Sequence, residues 1–268
     1  MSEKDRSAKA GAAGEKAVDM SKYEGHFALS GKNKGTSGEF LGKICLVGFL
    51  VNDRSSSWSD EDIDKMKTVL RRAAETIKEQ SGLSDNRLKI SYAFDVVPVQ
   101  YRYERDEYKR VVDDVLVQYG YKDAASYKEH YEKKFKKTEA PLIFFVNRDF
   151  RSFALMDTSE AMNNGSSEYC FVSYSNDTED CIRALIHELM HQFGAIDYYL
   201  PEKVKSAARK IFPESIMLHG LEIDDLTRYL IGWDREPTGN ALKFLDEIAG
   251  VTEEEIKEAR EKDKENDW

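Results

Sequence analysis

The sequence predicts an α/β (α+β) fold built on a twisted, mixed β-sheet. Residues 44–51 form a continuously apolar run with strand-forming side chains, which predicts a strand buried on both faces of the sheet. Residues 59–77 then have helical spacing, and residues 88–96 alternate between apolar and polar side chains. A strand, a helix and a strand in this order predict a right-handed crossover and a partly parallel sheet.

The first helix has a start signal and an apolar face. Asp60, Glu61 and Asp62 favour the positive end of the helix dipole, and Gly82 suits the other end. Its apolar positions at helical spacing are Ile63, Met66, Val69, Leu70, Ala73, Ala74 and Ile77. We therefore expect one amphipathic helix between the first two strands.

The middle of the chain contains further helix and strand patterns. Residues 105–137 are charged and contain an apolar stripe typical of a helix, whereas residues 141–146 return to a buried-strand pattern. Residues 150–156 and 169–174 have strand patterns on either side of a strong turn signal. These two segments could pair antiparallel at an edge of the sheet.

The composition is that of a soluble protein. The 268 residues are 41% hydrophobic and 34% charged, which allows one domain with a real core. A net charge of −10 argues against a nucleic-acid partner, because phosphate contacts need a basic face. No apolar run approaches the roughly 20 residues of a membrane helix, so no membrane partner is expected. The N-terminus lacks a secretory signal, which predicts a cytoplasmic protein unless a leader is missing.

The cysteine count indicates reduced thiols. Cys45, Cys170 and Cys181 cannot all pair with one another, and none has the short spacing of a metal knuckle. We expect them to be reduced and buried, although one disulfide with a spare thiol stays open.

The stretch at residues 178–197 carries the chemistry. Thr178 is a reasonable N-cap for a helix on which His187 and His191 lie about 40° apart. The apolar residues of the opposite side are Ile182, Leu185, Ile186, Leu189 and Phe193. One face of this helix is therefore expected to pack into the core while the other presents two imidazoles.

The string His187-Glu188-x-x-His191 is the pattern of a zinc hydrolase. Neutral imidazoles bind Zn²⁺ at about 2.0–2.1 Å, and a catalytic site has three protein ligands and an open fourth position for water. Glu188 lies about 100° round from His187, where it can reach that water without binding the metal. We expect Glu188 to act as general base and then as general acid.

Residue spacing determines the third metal ligand less firmly than it determines the two histidines. Gly194 can adopt the left-handed conformation that ends a helix, which would carry Asp197 back toward the metal. Asp197 could instead be a turn residue or a helix cap. His219, or Glu214 or Glu222 in a gluzincin-like arrangement, could take its place, but the tight spacing from Gly194 favours Asp197.

The five positions of this motif resemble the metzincins, whose pattern is H-E-x-x-H-x-x-G-x-x-H or, in the snapalysin-like branch, the same pattern ending in Asp. They are His187, Glu188, His191, Gly194 and Asp197. The resemblance implies one catalytic Zn²⁺ held by His187, His191 and Asp197. It also implies a metzincin-like zincin with an active-site helix and a smaller, mostly helical C-terminal lobe.

A second resemblance lies further along the chain. Ser215-Ile216-Met217 matches the methionine turn of metzincins, which implies that Met217 forms an apolar floor beneath the ligands. His219 stands where the astacin and serralysin branches carry a tyrosine that can approach the metal. We hypothesise that His219 lies near the zinc and helps to bind the transition state; the alternative is an exposed turn histidine.

The resemblance also implies where a substrate would bind. A peptide would lie antiparallel to an edge strand, in a cleft between two lobes, and residues 150–157 are the candidate edge. Tyr198 and Tyr199 follow Asp197 directly and could wall the pocket for the residue after the cut. They could equally be packing aromatics.

These expectations give a domain organisation. Residues 1–42 are expected to be a disordered leader, or else a partner-binding or propeptide-like arm. Residues 43–250 would form the domain, with an upper lobe at 43–194 and a lower lobe at 195–250. Residues 251–268 would be a charged helix or tail.

The function expected from this sequence is that of a zinc-dependent metallopeptidase acting on a peptide or protein substrate. One alternative is a zinc hydrolase of a non-peptide amide, deformylase-like, with Cys170 or Cys181 as a ligand. Another is a binding module that retains zinc without turnover. An intact Glu188 speaks against the binding module, because scaffolding needs no general base. The oligomeric state does not follow from the sequence.

Overall fold

The computed structural model describes residues 19–32, 38–82, 88–104, 107–134, 138–148, 150–155 and 169–266. Its strands are β1 (Lys43–Asn52), β2 (Lys89–Pro98), β3 (Thr138–Glu139), β4 (Leu142–Val146), β5 (Phe153–Ala154) and β6 (Tyr169–Ser173). Its helices are α1 (Asp60–Ser81), α2 (Tyr108–Gln118), α3 (Ala124–Lys134), α4 (Thr178–His191), α5 (Glu202–Ile211), α6 (Asp225–Leu230), α7 (Gly239–Glu247) and α8 (Glu253–Asn266).

The strands form one mixed sheet in the order β2-β1-β4-β6-β5, with the short β3 also pairing with β1. β1 runs parallel to β2 and β4, and β4 runs parallel to β6. β5 pairs antiparallel with β6 at the end of this order. The α/β prediction and the antiparallel pair at a sheet edge are therefore confirmed. Residues 156 and 157 of the expected edge lie outside the described residues.

Both faces of the sheet are covered, as the apolar run at 44–51 predicts. In β1, Leu46 and Leu50 belong to a core that also includes the buried faces of α1 and α4. Val47 and Phe49 belong to a second core, to which α2 and α3 contribute buried side chains. This alternation follows from the period of two along a strand, and it places α4 on the same face of the sheet as α1.

The helix α1 begins at a capping box. Ser59 Oγ accepts a hydrogen bond from Asp62 N at 3.2 Å, and the Asp62 carboxylate accepts one from Ser59 N at 3.3 Å. These bonds satisfy two backbone donors that a helix start leaves open. Six of the seven apolar positions predicted for this helix are buried; Ile63 is partly buried.

The C-terminal helices pack into the same core as α1 and α4. This core is continuous across residue 194, where the two expected lobes would meet. Val251 and Ile256 are buried, so the charged helix α8 is attached to the domain by apolar contacts. The division into two lobes remains a prediction.

The expectation of a disordered leader is wrong for residues 19–32 and 38–42. Residues 20–23 and 27–29 are 3-10 helices, and Tyr23 and Phe27 are buried. Phe40 stacks on Phe193 with ring centroids 4.1 Å apart. Tyr23 donates its hydroxyl hydrogen to Asp246 at 2.8 Å, so Tyr23 and Phe40 attach this segment to the C-terminal half of the domain. Such sparse anchors leave no periodic pattern in the sequence. Residues 1–18 and 33–37 lie outside the described residues.

Two further expectations can be compared with the structure. All three cysteines are free, as predicted. Cys170 and Cys181 are buried as expected, but the expectation of burial is wrong for Cys45, which is only partly buried. Across the parts of the chain that the structure describes, no helix combines the length and the apolar character needed to cross a bilayer.

Candidate metal centre

The helix α4 presents its histidines as the spacing predicts, but its cap is one residue earlier than expected. Asp177 is the N-cap, and its carboxylate accepts a hydrogen bond from Glu179 N at 2.8 Å. Thr178 is instead the first helical residue. His191 is 4% exposed, and Leu185 and Leu189 are fully buried on the core side.

Three potential ligand atoms converge beside this helix. Nε2 of His187 and Nε2 of His191 are 3.2 Å apart. Oδ1 of Asp197 lies 3.0 Å from the second and 3.2 Å from the first. In a tetrahedral site with bonds of about 2.0–2.1 Å, ligand atoms are separated by about 3.3 Å. The three atoms therefore have nearly the spacing that a single Zn²⁺ ion requires.

Backbone carbonyls set the orientation of both rings. Nδ1 of His187 donates to the carbonyl oxygen of Ile216 at 2.8 Å, and Nδ1 of His191 donates to that of Ala195 at 2.9 Å. A carbonyl oxygen only accepts hydrogen bonds, so each Nδ1 carries a hydrogen. In the neutral imidazole the lone pair is then on Nε2, which is the atom directed at the cluster.

A glycine allows the chain to reverse after α4. Gly194 has φ of +99°, the left-handed conformation expected of it. A Cβ atom at this position would lie 2.2 Å from the carbonyl oxygen of Gly31, in the N-terminal segment. The reversal brings Asp197 to the two histidines, and the close approach of Gly31 leaves no room for a side chain at the turn.

The turn at Ser215 to Met217 is hydrogen-bonded to the segments that carry the candidate ligands. Met217 is fully buried, and its backbone N–H donates to Ser215 Oγ at 3.0 Å. Its carbonyl oxygen accepts from Tyr198 N at 3.0 Å. The same turn supplies the Ile216 carbonyl that orients His187, so it contacts the segments that carry two of the three candidate ligands.

Asp224 organises this turn and was missed by the sequence reasoning. It is the N-cap of α6 and accepts from Leu226 N and Thr227 N, each at 3.0 Å. The hydroxyls of Ser215, Tyr198 and Thr227 donate to it as well. Burial raises the pKa of Asp224, and these hydrogen bonds oppose that rise. The sequence could have identified Asp224 as a helix cap, because an Asp before an apolar helix is a recognisable pattern. Its hydrogen bonds with Ser215 and Tyr198 join distant segments, and no sequence pattern predicts them.

The two tyrosines after Asp197 differ in their surroundings: one is buried in the core and the other lines the cavity. Tyr198 is fully buried and donates to Asp224, so the expectation that it contacts substrate is wrong. Tyr199 lines the cavity, with its ring 6.3 Å from that of His187. The guanidinium of Arg151 lies 4.7 Å from the centre of the Tyr199 ring. Only Tyr199 is placed to contact a ligand.

An open cavity of about 570 Å³ borders the cluster at His187, whereas His191 and Asp197 are not among its lining residues. His187, Glu188, Tyr199 and His219 are among the residues that line it. Glu188 is 6% exposed, and burial raises the pKa of its carboxyl. His219 is an exposed residue on the wall of this cavity, whereas Met217 does not line it.

The electrostatics of the cluster favour a positive charge. Burial works to lower the pKa of His191, but the neighbouring Asp197 carboxylate outweighs burial and raises that pKa to about 9. Burial works to raise the pKa of Asp197, but the two histidines hold it well below its usual value. The position between the three side chains thus attracts cations, a proton or a metal ion alike.

The rival ligands are not brought to this position. Glu214 and Glu222 are exposed, and neither belongs to a metal-compatible group with the histidines within the described residues. Cys170 and Cys181 are buried and, among the described residues, belong to no metal-compatible group with the two histidines. His187, His191 and Asp197 are the group whose ligand atoms lie within 4.8 Å of one another.

Comparisons with known proteins add little to this site. No family model matches the chain, and no curated protein matches it. One solved structure with some likeness is described as "Structure of a chaperone-substrate complex", at 11% sequence identity and a TM-score of 0.30. The match covers 59% of this chain and 24% of that chain, so it spans about a quarter of the other chain's length. A likeness this weak carries no argument about fold or function.

Proposed function

We propose that this protein is a zinc-dependent metallopeptidase of the metzincin type. The observation that carries the proposal is the placement of Glu188. This carboxyl lines an open cavity together with His187, which is itself one of three side chains whose ligand atoms lie within 4.8 Å of one another. A candidate metal position and a candidate general base therefore adjoin one accessible space.

The donor set supports zinc. Two imidazole nitrogens and one carboxylate oxygen provide three protein ligands, which is the number that leaves a catalytic site one open position. The chemistry that zinc supplies when bound is activation of a water molecule and polarisation of a carbonyl group. The chain's own part is to orient both rings through the carbonyls of Ile216 and Ala195.

Glu188 carries the proton transfers in this proposal. Its carboxylate accepts a proton from the attacking water and later gives it to the departing amine. The residue follows His187 on α4 and lies in a buried wall of the cavity, which keeps its carboxyl beside the reacting atoms and away from bulk water.

The edge of the sheet supports a peptide as the substrate. Phe150, Arg151 and Ser152 line the cavity, and they lead directly into β5. β5 ends the strand order, so among the described residues no further strand pairs with its outer side. An extended peptide could add to that side by backbone hydrogen bonds, which would place its chain across the cavity.

The proposal is tested by metal analysis and by digestion of a peptide library. We expect the zinc-loaded wild type to contain one zinc per chain and to cleave peptides. Glu188→Ala should keep the zinc and lose cleavage, because Glu188 is not a ligand. Glu179→Ala, which removes a half-exposed carboxylate from the same helix, is the matched control and should retain both. Failure of the wild type to bind zinc after loading, or unchanged cleavage by Glu188→Ala, would overturn the proposal.

A further inference from the structure

We propose that the wall of this cavity formed by Arg183, Lys205 and His219 binds a carboxylate of the substrate. This inference rests on the proposed function, because it assigns a substrate class to the same cavity. All three side chains line the cavity together with His187 and Glu188.

Three separate elements bring these residues together. Arg183 lies four residues before His187 on α4, which puts the two side chains on the same side of the helix, about 40° apart. Lys205 lies in the first half of α5, the helix that follows Tyr199 and Leu200. His219 follows the turn at Ser215 to Met217. A group in the cavity beside His187 is therefore within reach of cationic side chains from two helices.

The charge on this wall is available to a ligand. Lys205 is partly exposed, and within the described residues it forms no ion pair with a carboxylate. Arg183 pairs with Asp180 at 2.5 Å, but these side chains are 42% and 46% exposed. Pairs this exposed are only weakly stabilising, so a substrate carboxylate can compete with Asp180 for the guanidinium.

The cations of this wall also affect the protonation of His219. Although His219 is largely exposed, partial desolvation of its imidazole lowers its pKa, and the positive charges of Lys205 and Arg183 lower it further. That influence requires the two cations to be close to the imidazole. A neutral His219 offers a hydrogen-bond donor to a carboxylate without adding a charge.

The positive wall contrasts with the rest of the chain. The protein has 50 acidic and 40 basic residues and a net charge of −10, so its overall field repels anions. Among the residues that the structure describes, Asp180 and Glu188 line the cavity, and Asp197 lies beside it in the metal-compatible group. Attraction of a carboxylate is therefore confined to the cations of the cavity, which are Arg183 and Lys205 on this wall and Arg151 beside Tyr199 and Glu188. So few cations favour one well-placed acidic group over a polyanionic substrate.

Two kinds of peptide carry such a carboxylate: one with an internal Asp or Glu side chain, and one with its own C-terminus beside the cut. The experiment uses the full chain with Glu188→Ala, loaded with zinc and immobilised, so that peptides bind without being cut. Three peptide libraries are compared. They have a fixed central Glu with an amidated C-terminus, a fixed central Gln with an amidated C-terminus, and the same Gln with a free C-terminus.

We expect about fivefold enrichment of one carboxylate library over the Gln amide library, the amount that about 1 kcal/mol provides. The enriched library identifies the source of the carboxylate. Adding Lys205→Met should reduce the enrichment to near one, and Lys205→Glu should reverse the preference, so that the Gln amide library is retained best. Lys205→Arg should keep the preference. Lys203→Met on the same helix, whose ammonium contacts the carbonyl of Ala249, is the matched control.

Two results would overturn the inference: equal retention of all three libraries, or enrichment that is unchanged by Lys205→Met in a folded protein. The wild type with an intact Glu188 separates this inference from the proposed function. Cleavage without any carboxylate preference refutes the subsite alone. Enrichment that depends on Lys205 in a protein that cleaves no peptide refutes the peptidase and keeps the binding site.

Discussion

Ser215 donates its hydroxyl hydrogen to the buried carboxylate of Asp224 at 2.6 Å. The same carboxylate accepts from the hydroxyl of Tyr198 at 3.1 Å. Ser215 precedes the carbonyl that orients His187, and Tyr198 follows Asp197. One buried acid thus links the turn that orients His187 with the segment that carries Asp197.

Replacing Asp224 should destabilise the fold. Asp224→Ala would leave two backbone N–H groups and three hydroxyls without their acceptor, and we expect a loss of about 2–4 kcal/mol in the free energy of unfolding. Urea denaturation measures it. Asp225→Ala is the matched control, because Asp225 makes a partly exposed pair with Arg228 and should cost about 1 kcal/mol at most. Equal losses in the two variants would show that Asp224 has no special role.

The third ligand can be identified by metal content. We expect Asp197→Ala to lose stoichiometric zinc, because only two nitrogen ligands would remain. Glu214→Ala and Glu222→Ala should retain it, since both side chains are exposed and outside the cluster. Atomic absorption after dialysis gives the zinc content of each variant. Zinc retained by Asp197→Ala but lost from Glu222→Ala would restore the gluzincin-like alternative.

The turn after α4 should not tolerate a side chain. At Gly194, alanine would suffer both the positive φ and an overlap with the Gly31 carbonyl, so we expect Gly194→Ala to lose at least about 3 kcal/mol in stability. Gly250 has a φ of +83° and open space around its Cα. Gly250→Ala should therefore show the φ cost alone, about 1 kcal/mol. Thermal unfolding of both variants checks this, and similar losses would refute the steric argument.

Acid stability should depend on Asp53, which forms an ion pair with Arg148. Burial works to raise the pKa of Asp53, but hydrogen bonds from Arg148, Ser55 and Ser56 outweigh it and lower the pKa to about 2. A folded-state pKa below the ordinary 3.8 means that the ionised carboxylate stabilises the fold at neutral pH. That contribution is lost as the pH falls from about 4 toward 2.

Asp53→Asn should therefore be less stable than wild type at pH 7, by about 2 kcal/mol, and the difference should shrink below pH 4. Urea unfolding at a series of pH values measures the difference. Asp64→Asn, at an exposed position of α1, is the control and should follow the wild-type curve. A difference between wild type and Asp53→Asn that does not change with pH would contradict the ion-pair explanation.

His219 can be assigned to the transition state or to substrate binding by kinetics. If it donates to the transition state, His219→Phe should lower kcat by about 10- to 100-fold with zinc content unchanged. A rise in KM with kcat unchanged would instead assign it to the carboxylate subsite alone. His130→Phe on α3, which does not line the cavity, is the control. Unchanged turnover and KM would dispose of both roles.

Much of the site follows from spacing over short stretches of chain. Backbone hydrogen bonds fix 3.6 residues per helical turn, so His187 and His191 must share a face of α4. Gly194 is the residue type that tolerates the reversal, and Asp197 is near enough along the chain to be carried back. The strand run at 44–51 and the helix α1 are similarly local, and both agree with the structure.

The remaining features depend on contacts between distant segments. Burial of Phe40 against Phe193 and the approach of Gly31 to Gly194 attach an aperiodic N-terminal segment to the domain. Tyr198 and Tyr199 are neighbours of one residue type, and only packing directs one to Asp224 and the other to the cavity.

Arg183, Lys205 and His219 illustrate the same limit. They are separated along the chain and lie in two helices and a turn, yet they line one wall of the cavity. Local spacing specifies which face of an element a side chain occupies, because backbone geometry is the same in every helix and strand. Which faces meet is decided by how the apolar surfaces of the whole chain are buried together, and that is a property of the folded molecule.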